Sequence, residues 1–507
     1  MANKNVPIDH IANTAASAGS RGLASGVVWN LAGNGAPLAV AVATIPGLFS
    51  GYGPASFGIL SLAWATIGYF SLFDLGLSRA LTQLIASKSR ADRGEARLGD
   101  MVITSLALVT TAGLVLGLML WAALPWLIGN VLQIPAALQD DARASFNLIV
   151  FAIPFITLGQ GFRGVLEARM RFDVVNIVRI PMSITTFLGP WIAVQFTDEL
   201  FPAIAVLVAA RIISVVIYGA FSIYSEPMLR RIPKMSFNNL GPLMRFGGWM
   251  TVSNIIGPLM ASLDRFFIAA LISVAAVAYY TIPFDVITRL WIVPAALASV
   301  LFPAFAQIAS HDPERVRGLY ASGIKFTAFA ICPMIFCVIA FAEGALSLWL
   351  DAETAAKSAR ILQILAVGVL LNSLAHTPYA LIQGNGRADI TAKLHLAEAP
   401  VYLIILVIAI DLFGVEGAAI AWTLRAAVDC FLLFFFARAY GGRLDNLVAG
   451  GAVYFIAFSI ALMLVAAASG FAMRMLLAAL SVAALTAIFW FSLLTLQERS
   501  TLNIRRR

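Results

Sequence analysis

The sequence predicts an all-α integral membrane protein with about 14 transmembrane helices. Hydrophobic residues make up 61% of the chain and charged residues only 12%, whereas soluble domains carry about 25% charged residues. Apolar stretches of roughly 20 residues, each long enough to cross a membrane, recur along the whole length. The basic residues between these stretches collect in alternate loops, as they do in multi-pass proteins.

The predicted spans are separated by short connections in which Gly, Pro, Asn and Asp are frequent. They comprise residues 23–48, 55–80, 99–122, 144–166, 174–196, 202–225, 240–270, 275–308, 319–342, 359–383, 391–411, 414–437, 448–469 and 473–496. The alternating segments of about ten residues that characterise an outer-membrane barrel do not occur in the sequence. The chain is therefore predicted to be helical throughout the membrane.

Charge in the loops orients the spans. Loops after even-numbered spans hold most of the Lys and Arg, and so does the C-terminal tail. Loops after odd-numbered spans instead carry acids, among them Asp140, Asp198 and Asp351. By the positive-inside rule, both termini are predicted to be cytoplasmic, with residues 1–20 as a flexible cytoplasmic tail. This topology accounts for the net charge of +8 without a nucleic-acid partner.

The two halves of the chain resemble each other. Arg171-Phe-Asp173, after the fourth span, corresponds to Arg387-Ala-Asp389, after the tenth. Arg211 falls opposite Arg425, and His395 occupies the position that Arg179 holds in the first half. Six spans per half is an even number, so the repeat is predicted to be parallel, an arrangement in which transporters bind substrate between the halves.

This repeat defines the predicted domains. Residues 21–228 form an N-terminal six-helix bundle, residues 229–440 a C-terminal six-helix bundle, and residues 441–507 two extra helices with a basic cytoplasmic tail. The chain is thus predicted to contain two related helix bundles and an appended pair of helices.

Ionisable residues inside the predicted spans are the candidate functional residues. Placing an ionisable side chain at mid-bilayer costs at least about 2.5–3.5 kcal/mol of free energy. Each such residue therefore needs a partner or a water-filled cavity. The arginines, which are predicted to line a cationic central cavity for an anionic diphosphate, are Arg79, Arg163, Arg179, Arg211, Arg265, Arg289 and Arg425. The candidates for coupling transport to an ion gradient are Asp74, Asp264, Asp285, His395 and Glu398.

Structural roles are the alternative for several of these residues. Asp285 and Arg289 are four residues apart, as are Arg425 and Asp429, so each pair could be an ion pair on one helix face. Arg79 and Arg163 lie near helix ends, where long side chains reach the interface. Arg211 has no acid one helical turn away.

Two segments near the first loop carry a family resemblance. Tyr52-Gly-Pro-Ala-Ser-Phe-Gly58, followed by Phe73-Asp-Leu-Gly-Leu-Ser-Arg79, resembles the start of bacterial O-antigen type polysaccharide flippases, members of the multidrug/oligosaccharidyl-lipid/polysaccharide exporter superfamily. The resemblance implies two six-helix bundles that move an undecaprenyl-diphosphate-linked oligosaccharide repeat unit from the cytoplasmic to the periplasmic leaflet of a bacterial inner membrane. Alternating access would expose a central cavity to each side in turn.

Two close alternatives are a lipid II flippase and a cation-coupled multidrug exporter of the same superfamily. Fourteen spans match the lipid II branch, but residues 22–73 lack the charged residues found in that branch's first span. A glycan polymerase or ligase fits less well, because the outside loops are short. A purely structural protein also fits less well, because arginines occur in several spans.

No enzyme activity and no cofactor are predicted. The expected partners are the lipid-linked oligosaccharide, membrane lipids, and a glycan polymerase or other pathway proteins.

Overall fold

All regular secondary structure in the described part of the chain is helical. The structure is a computed structural model that describes residues 20–72, 95–169, 171–225, 256–257, 259–260, 262–308, 312–442, 448–468, 470–494 and 499. The α-helices are α1 (Ser20–Leu72), α2 (Glu95–Trp126), α3 (Gln139–Ala168), α4 (Phe172–Ala193), α5 (Leu200–Ser225), α6 (Leu263–Leu271), α7 (Val274–Thr288), α8 (Ile292–Ile308), α9 (Pro313–Trp349), α10 (Ala352–Gly384), α11 (Ala388–Ala437), α12 (Val448–Ala467) and α13 (Phe471–Ile488). Candidate sites Asp74 and Arg79 lie outside the described residues.

The helices have the length and composition that a membrane requires. Ten stretches of the described chain are long and apolar enough to span a bilayer. Large apolar side chains such as Leu118, Val216 and Phe431 are more than half exposed, which suits contact with lipid rather than water. The predicted class of helical multi-pass membrane protein is confirmed, while the count of 14 spans stays a prediction.

Two of the helices bend at a glycine. The backbone of α1 leaves helical geometry at Gly53, with φ of 72° and ψ of 168°, and that of α11 at Gly414, with φ of 60° and ψ of −138°. These conformations are accessible almost only to glycine. Each bend divides a helix of 50 residues or more at the boundary between two predicted spans.

The described chain packs as two compact units. The first unit comprises Met1–Gly53, Leu77–Ala122 and Ala144–Asn239, and the second comprises Pro54–Gly76, Ala123–Arg143 and Leu240–Arg507, each in its described part. The first half of α1 thus belongs to one unit and its second half to the other. The predicted domains 21–228, 229–440 and 441–507 stay predictions.

In the first unit, α3, α4 and α5 pack side by side. Tyr218 on α5 donates a hydrogen bond to the carbonyl of Val175 on α4 at 3.3 Å. Ser222, one turn further along α5, donates to the carbonyl of Phe162 on α3 at 3.2 Å. Since both donors lie on one face of α5, that face is held against its two neighbours.

In the second unit, α10 is a buried central helix. Leu365, Ala366 and Val369 have no exposed surface. The helix begins after Asp351, whose carboxylate accepts hydrogen bonds from the backbone N–H and the hydroxyl of Thr354 at 2.9 and 2.7 Å. These bonds satisfy an otherwise unpaired N–H of the first turn and hold the pKa of Asp351 below its usual range.

The two Arg-x-Asp segments of the predicted repeat have the same local structure. Arg171 precedes α4 and Arg387 precedes α11, and both have φ between −100° and −83° with ψ near 50°. Each arginine pairs with the aspartate two residues later, with Nε–Oδ1 distances of 3.0 Å to Asp173 and 2.9 Å to Asp389. The sequence similarity therefore corresponds to a shared way of starting a helix.

Replacing Gly53 with alanine is expected to lower the free energy of unfolding by about 1–3 kcal/mol, because the bend requires a backbone conformation that alanine avoids. Thermal unfolding of the purified protein in detergent measures this change. Gly318→Ala on α9 is the matched control, since nothing lies within 4 Å of the added Cβ and its φ is not positive. Equal melting temperatures for the two variants would contradict the role of Gly53.

Candidate functional site

Three of the predicted arginines surround one small cavity in the first unit. Arg163 on α3, Arg179 on α4 and Arg211 on α5 line a space of about 70 Å³. The other polar side chains that line it are Gln160, Ser183, Ser214 and Tyr218. The cavity is therefore a polar pocket contributed by three neighbouring helices, in which the hydroxyls of Ser183, Ser214 and Tyr218 already donate to backbone carbonyls.

The pocket carries excess positive charge. Arg163 pairs with Glu167 one turn later on α3, at 2.7 Å between Nε and Oε1. Neither Arg179 nor Arg211 has an ion-pair partner among the residues that the structure describes. Three guanidinium groups and one carboxylate leave two positive charges, and this imbalance favours an anionic ligand.

Helical spacing explains how the pocket forms. Arg211, Ser214 and Tyr218 follow one another at three- and four-residue intervals and so lie on one face of α5. Arg179 and Ser183 are likewise one turn apart on α4. The arginines of this pocket were predicted from the sequence, whereas Gln160 and the hydroxyl groups were not. Polar residues one turn from each arginine in the sequence include Gln160, Ser183 and Ser214.

In the second unit, Arg265 and Asp285 form an ion pair between α6 and α7. The distance from Arg265 Nη2 to Asp285 Oδ1 is 2.6 Å, and the arginine side chain is only 10% exposed. The guanidinium also lies 5.5 Å from the centre of the Phe284 ring. Asp285 thus pairs with a residue twenty positions earlier, and not with Arg289 one turn later.

Arg289 lies apart from this pair. It begins a single 3₁₀ turn between α7 and α8, its side chain is exposed, and it has no ion-pair partner among the described residues. The helix-face pair considered from the four-residue spacing is therefore not formed.

Asp264 is a fully buried carboxylate next to Arg265 in the chain. Tyr280 on α7 donates a short hydrogen bond to its Oδ2 atom, while Oδ1 has no hydrogen-bond partner in the described structure. Tyr402 on α11 is a further electrostatic neighbour of this carboxylate. An ionised carboxylate with one unpaired oxygen is costly in an apolar interior, so the site suits a protonated or cation-bound carboxyl group.

Glu398 and Asp429 form a second acidic group on α11. Glu398 is 7% and Asp429 4% exposed, and both oxygens of Glu398 lack a hydrogen-bond partner in the described structure. Asp429 and Arg425 are the electrostatic neighbours of Glu398. His395 lies one turn before Glu398, and its Nε2 atom is 3.7 Å from Asp429 Oδ1.

Arg425 contacts aromatic rings rather than Asp429. Its guanidinium lies 5.8 Å from the ring centre of Tyr402 and 5.9 Å from that of Trp422. The Nε atom of Arg425 is buried without a hydrogen-bond partner among the described residues. The helix-face ion pair of Arg425 and Asp429 is thus replaced by cation–π contacts and by the approach of His395 to Asp429.

The connected group in the second unit is acidic. In the described structure its carboxylates are Asp264, Asp285, Glu398 and Asp429, and its permanent cations are Arg265 and Arg425. Four carboxylates and two guanidinium groups leave two negative charges while the histidines are neutral. Such an excess is unfavourable where the carboxylates are buried, and protonation of one of them would relieve it. His395, together with His376 beside Asp429, offers protonatable groups.

Comparison with known proteins identifies the family. Residues 52–353, more than half of the chain, match the family described as "Polysaccharide biosynthesis protein". The chain belongs to this family. A Shigella flexneri protein named "Putative O-antigen transporter" is 32% identical over 407 residues, which cover 80% of this chain and 95% of that protein. "Lipopolysaccharide biosynthesis protein WzxC" of Escherichia coli K12 is 22% identical over 314 residues, 61% of each chain.

Solved structures share the fold of this family member. "Lipid II flippase MurJ, inward closed conformation" superposes with a TM-score of 0.68 at 14% identity, covering 92% of this chain and 99% of that one. An inward-facing multidrug resistance MATE family transporter gives a TM-score of 0.60 at 18% identity, covering 83% and 95%. The predicted membership of the polysaccharide flippases within the exporter superfamily is confirmed, and the chain is a transporter rather than an enzyme.

Replacing Arg265 with glutamine is expected to lower the free energy of unfolding by about 3 kcal/mol, because it leaves the Asp285 carboxylate without its partner. Thermal unfolding in detergent measures this change. Arg289→Gln is the matched control, since Arg289 is exposed and unpaired among the described residues, and it is expected to change the melting temperature little. A larger loss from Arg289→Gln than from Arg265→Gln would show that Asp285 depends on the nearer arginine.

Proposed function

We propose that the chain is a flippase for an undecaprenyl-diphosphate-linked oligosaccharide repeat unit. It moves this lipid from the cytoplasmic to the periplasmic leaflet of a bacterial inner membrane, by alternating access through a cationic central cavity. The observation that carries the proposal is the pocket of Arg163, Arg179 and Arg211, with its two excess positive charges. The names of the relatives, an O-antigen transporter and a lipopolysaccharide biosynthesis protein, support the substrate class.

The pocket suits a diphosphate for chemical reasons. A diphosphate joined to a lipid and a sugar carries one negative charge on each phosphate, which matches the excess charge of the pocket. Guanidinium groups stay ionised and present a planar fork of donors to phosphate oxygens. Glu167 orients Arg163 through their ion pair, while Arg179 and Arg211 are left to bind the ligand.

The remaining arginines have subordinate roles in this proposal. Arg265 and Arg425 stay candidates for the lining of the central cavity, but Asp285 pairs with Arg265 and two aromatic rings contact Arg425. Arg79 and Arg289 complete the proposed cationic lining. We accordingly assign the diphosphate to Arg163, Arg179 and Arg211 before the other four.

We further propose that the acidic group of the second unit couples transport to protons. Glu398, Asp429 and His395 are the primary residues, with Asp264 and Asp285 as the neighbouring carboxylates and Asp74 as a further candidate. Two adjacent buried carboxylates are not both ionised without a compensating cation, so proton uptake or release changes the stability of the site. Membrane potential adds a favourable term of about 2.3 kcal/mol per 100 mV for each negative charge that moves outward.

Topology and partners complete the proposal. Both termini lie in the cytoplasm, where the basic loops and the C-terminal tail face the anionic leaflet. A glycan polymerase or other proteins of the same pathway receive the translocated lipid. A lipid II flippase is the second candidate, because the arginine pocket would recognise its diphosphate equally well and the fold matches that of a lipid II flippase.

Arg211→Gln is expected to reduce translocation of a fluorescent undecaprenyl-diphosphate oligosaccharide in proteoliposomes about ten- to hundredfold. The loss corresponds to about 1.5–3 kcal/mol for a hydrogen bond to a charged group. Arg211→Lys, which keeps the charge but not the planar fork, should be intermediate. Arg360→Gln is the matched control, because Arg360 is 74% exposed and pairs with Glu416 at 3.2 Å, outside the pocket.

Unchanged translocation by Arg211→Gln would remove this residue from the path. Translocation of lipid II in preference to the oligosaccharide, still sensitive to Arg211, would instead select the lipid II flippase. No movement of either lipid, together with cation-driven efflux of a cationic dye, would select the multidrug exporter.

Glu398→Gln is expected to abolish the response of transport to a pH gradient while leaving gradient-free exchange measurable. The wild-type protein should move lipid at least severalfold faster toward an acidic compartment than toward a neutral one, at clamped membrane potential. The matched control is Glu416→Gln on the same helix, whose carboxylate forms the exposed ion pair with Arg360. An unaltered pH response in Glu398→Gln would exclude this carboxylate from coupling.

A further inference from the structure

The arginine pocket of the first unit is small compared with a diphosphate. Its volume of about 70 Å³ holds about five to seven water-sized atoms, at about 10–15 Å³ for each. A diphosphate with its two ester oxygens contains two phosphorus and seven oxygen atoms, whereas a single phosphate group contains one phosphorus and four oxygen atoms. The pocket therefore encloses one phosphate group, and a second one lies outside it.

Close helix packing limits the size of the pocket. Gly159 on α3 and Val215 on α5 both line it, and a Cβ atom added at Gly159 would lie 2.9 Å from Val215 Cγ2. The hydrogen bond from Ser222 to the carbonyl of Phe162 joins the same two helices at 3.2 Å. Enlarging the pocket to take a second phosphate group would require α3 and α5 to move apart.

The guanidinium groups are the charged donors that the pocket leaves for a ligand. The hydroxyls of Ser183 and Ser214 donate to the carbonyls of Arg179 and Arg211 on their own helices, at 2.9 and 2.6 Å. Tyr218 donates to a backbone carbonyl of α4. Arg179 and Arg211 themselves have no ion-pair partner in the described structure, so two positive charges are available to one small ligand.

A phosphate monoester matches the pocket in both size and charge. It has a single phosphate group and carries about 1.5–2 negative charges at pH 7, because its second pKa is about 6. A phosphate diester of similar size carries only one negative charge. Two guanidinium groups therefore neutralise a monoester and bind its three terminal oxygens through charge-assisted hydrogen bonds.

One edge of the pocket leaves room for the ester group of such a ligand. The side chain of Arg163 is 36% exposed and that of its partner Glu167 is 29% exposed, whereas Ser214 and Tyr218 are buried. The ester oxygen of a bound monoester can leave the pocket at this accessible edge. A long chain attached to that oxygen then lies outside the pocket.

We propose that the pocket binds polyprenyl phosphate, the carrier lipid that has lost its glycan and one phosphate. The polyprenyl chain of this ligand rests on the proposed function, whereas its phosphate follows from the pocket. The lipid-linked oligosaccharide places one phosphate group in the pocket and the other at the Arg163 edge. The carrier lipid places its only phosphate group in the same space with a higher charge, so it competes with the substrate and slows export.

Titration of the purified full-length chain with undecaprenyl phosphate, followed by native mass spectrometry, tests the proposal. Inorganic phosphate distinguishes a site for free phosphate from a site for a lipid, and phosphatidylglycerol supplies a lipid phosphate diester. Undecaprenyl phosphate should bind about tenfold more tightly than either, the effect of one hydrogen bond to a charged group. Arg211→Gln should reduce its affinity about ten- to hundredfold for the same reason.

Ser183→Leu tests occupancy of the pocket without removing a charge. The serine hydroxyl bonds only within its own helix, so the leucine side chain fills the pocket and breaks no bond between helices. The affinity for undecaprenyl phosphate should fall about tenfold or more, because at least one hydrogen bond to the phosphate is lost. Thr185→Leu is the matched control on the same helix, since its hydroxyl also bonds within α4 and it does not line the pocket.

Three results would overturn the proposal. One is an affinity for inorganic phosphate equal to that for undecaprenyl phosphate, which would make the pocket a site for free phosphate. Another is tighter binding of undecaprenyl diphosphate than of the monophosphate, which would show that two phosphate groups fit. The third is unchanged affinity in both Arg211→Gln and Ser183→Leu.

The translocation assay separates this proposal from the proposed function. Export of the oligosaccharide that depends on Arg211, with no binding of undecaprenyl phosphate, would refute only the binding of the carrier lipid. Binding of undecaprenyl phosphate that depends on Arg211, with no export of the oligosaccharide, would support the carrier site and refute the proposed function.

Discussion

Charge inside an apolar membrane must be neutralised close to where it lies. An unpaired ionisable side chain at mid-bilayer costs at least about 2.5–3.5 kcal/mol. The structure meets this requirement in two ways. Arg265 is matched by Asp285 within the protein, whereas Arg179 and Arg211 have no ion-pair partner among the described residues and so require water or an anionic ligand. In the second case the unpaired arginines can serve as a binding site, because an anionic ligand neutralises them.

The predicted repeat makes the contrast between the two units informative. His395 lies 216 residues after Arg179, and Tyr379 lies 216 residues after Arg163. In the predicted repeat, two permanently charged residues of the first half correspond to a titratable ring and a phenol in the second, and these two rings stack at 6.3 Å. Glu398 and Asp429 add carboxylates nearby. In our proposal, one half therefore holds the anionic substrate while the equivalent region of the other responds to protons.

The same architecture serves transporters of different substrates, so the fold alone does not select the cargo. The chain superposes on both a lipid II flippase and a multidrug transporter at 14% and 18% identity. These functions differ in the chemistry of the residues that line the substrate-binding cavity. In the first unit that lining carries three guanidinium groups, which suit phosphate oxygens better than a cationic drug.

The sequence alone determined the membrane class, the positions of most helices and the family, because these depend on local hydrophobicity and short motifs. It also selected Arg163, Arg179 and Arg211, since an arginine in an apolar stretch is conspicuous whatever surrounds it. Only the tertiary structure decided the partners. Four-residue spacing suggested Asp285 with Arg289 and Arg425 with Asp429, yet Asp285 pairs with Arg265 on another helix and Arg425 lies against Tyr402 and Trp422. Periodicity describes which residues share a helix face, whereas an ion pair depends on which other helix packs against that face.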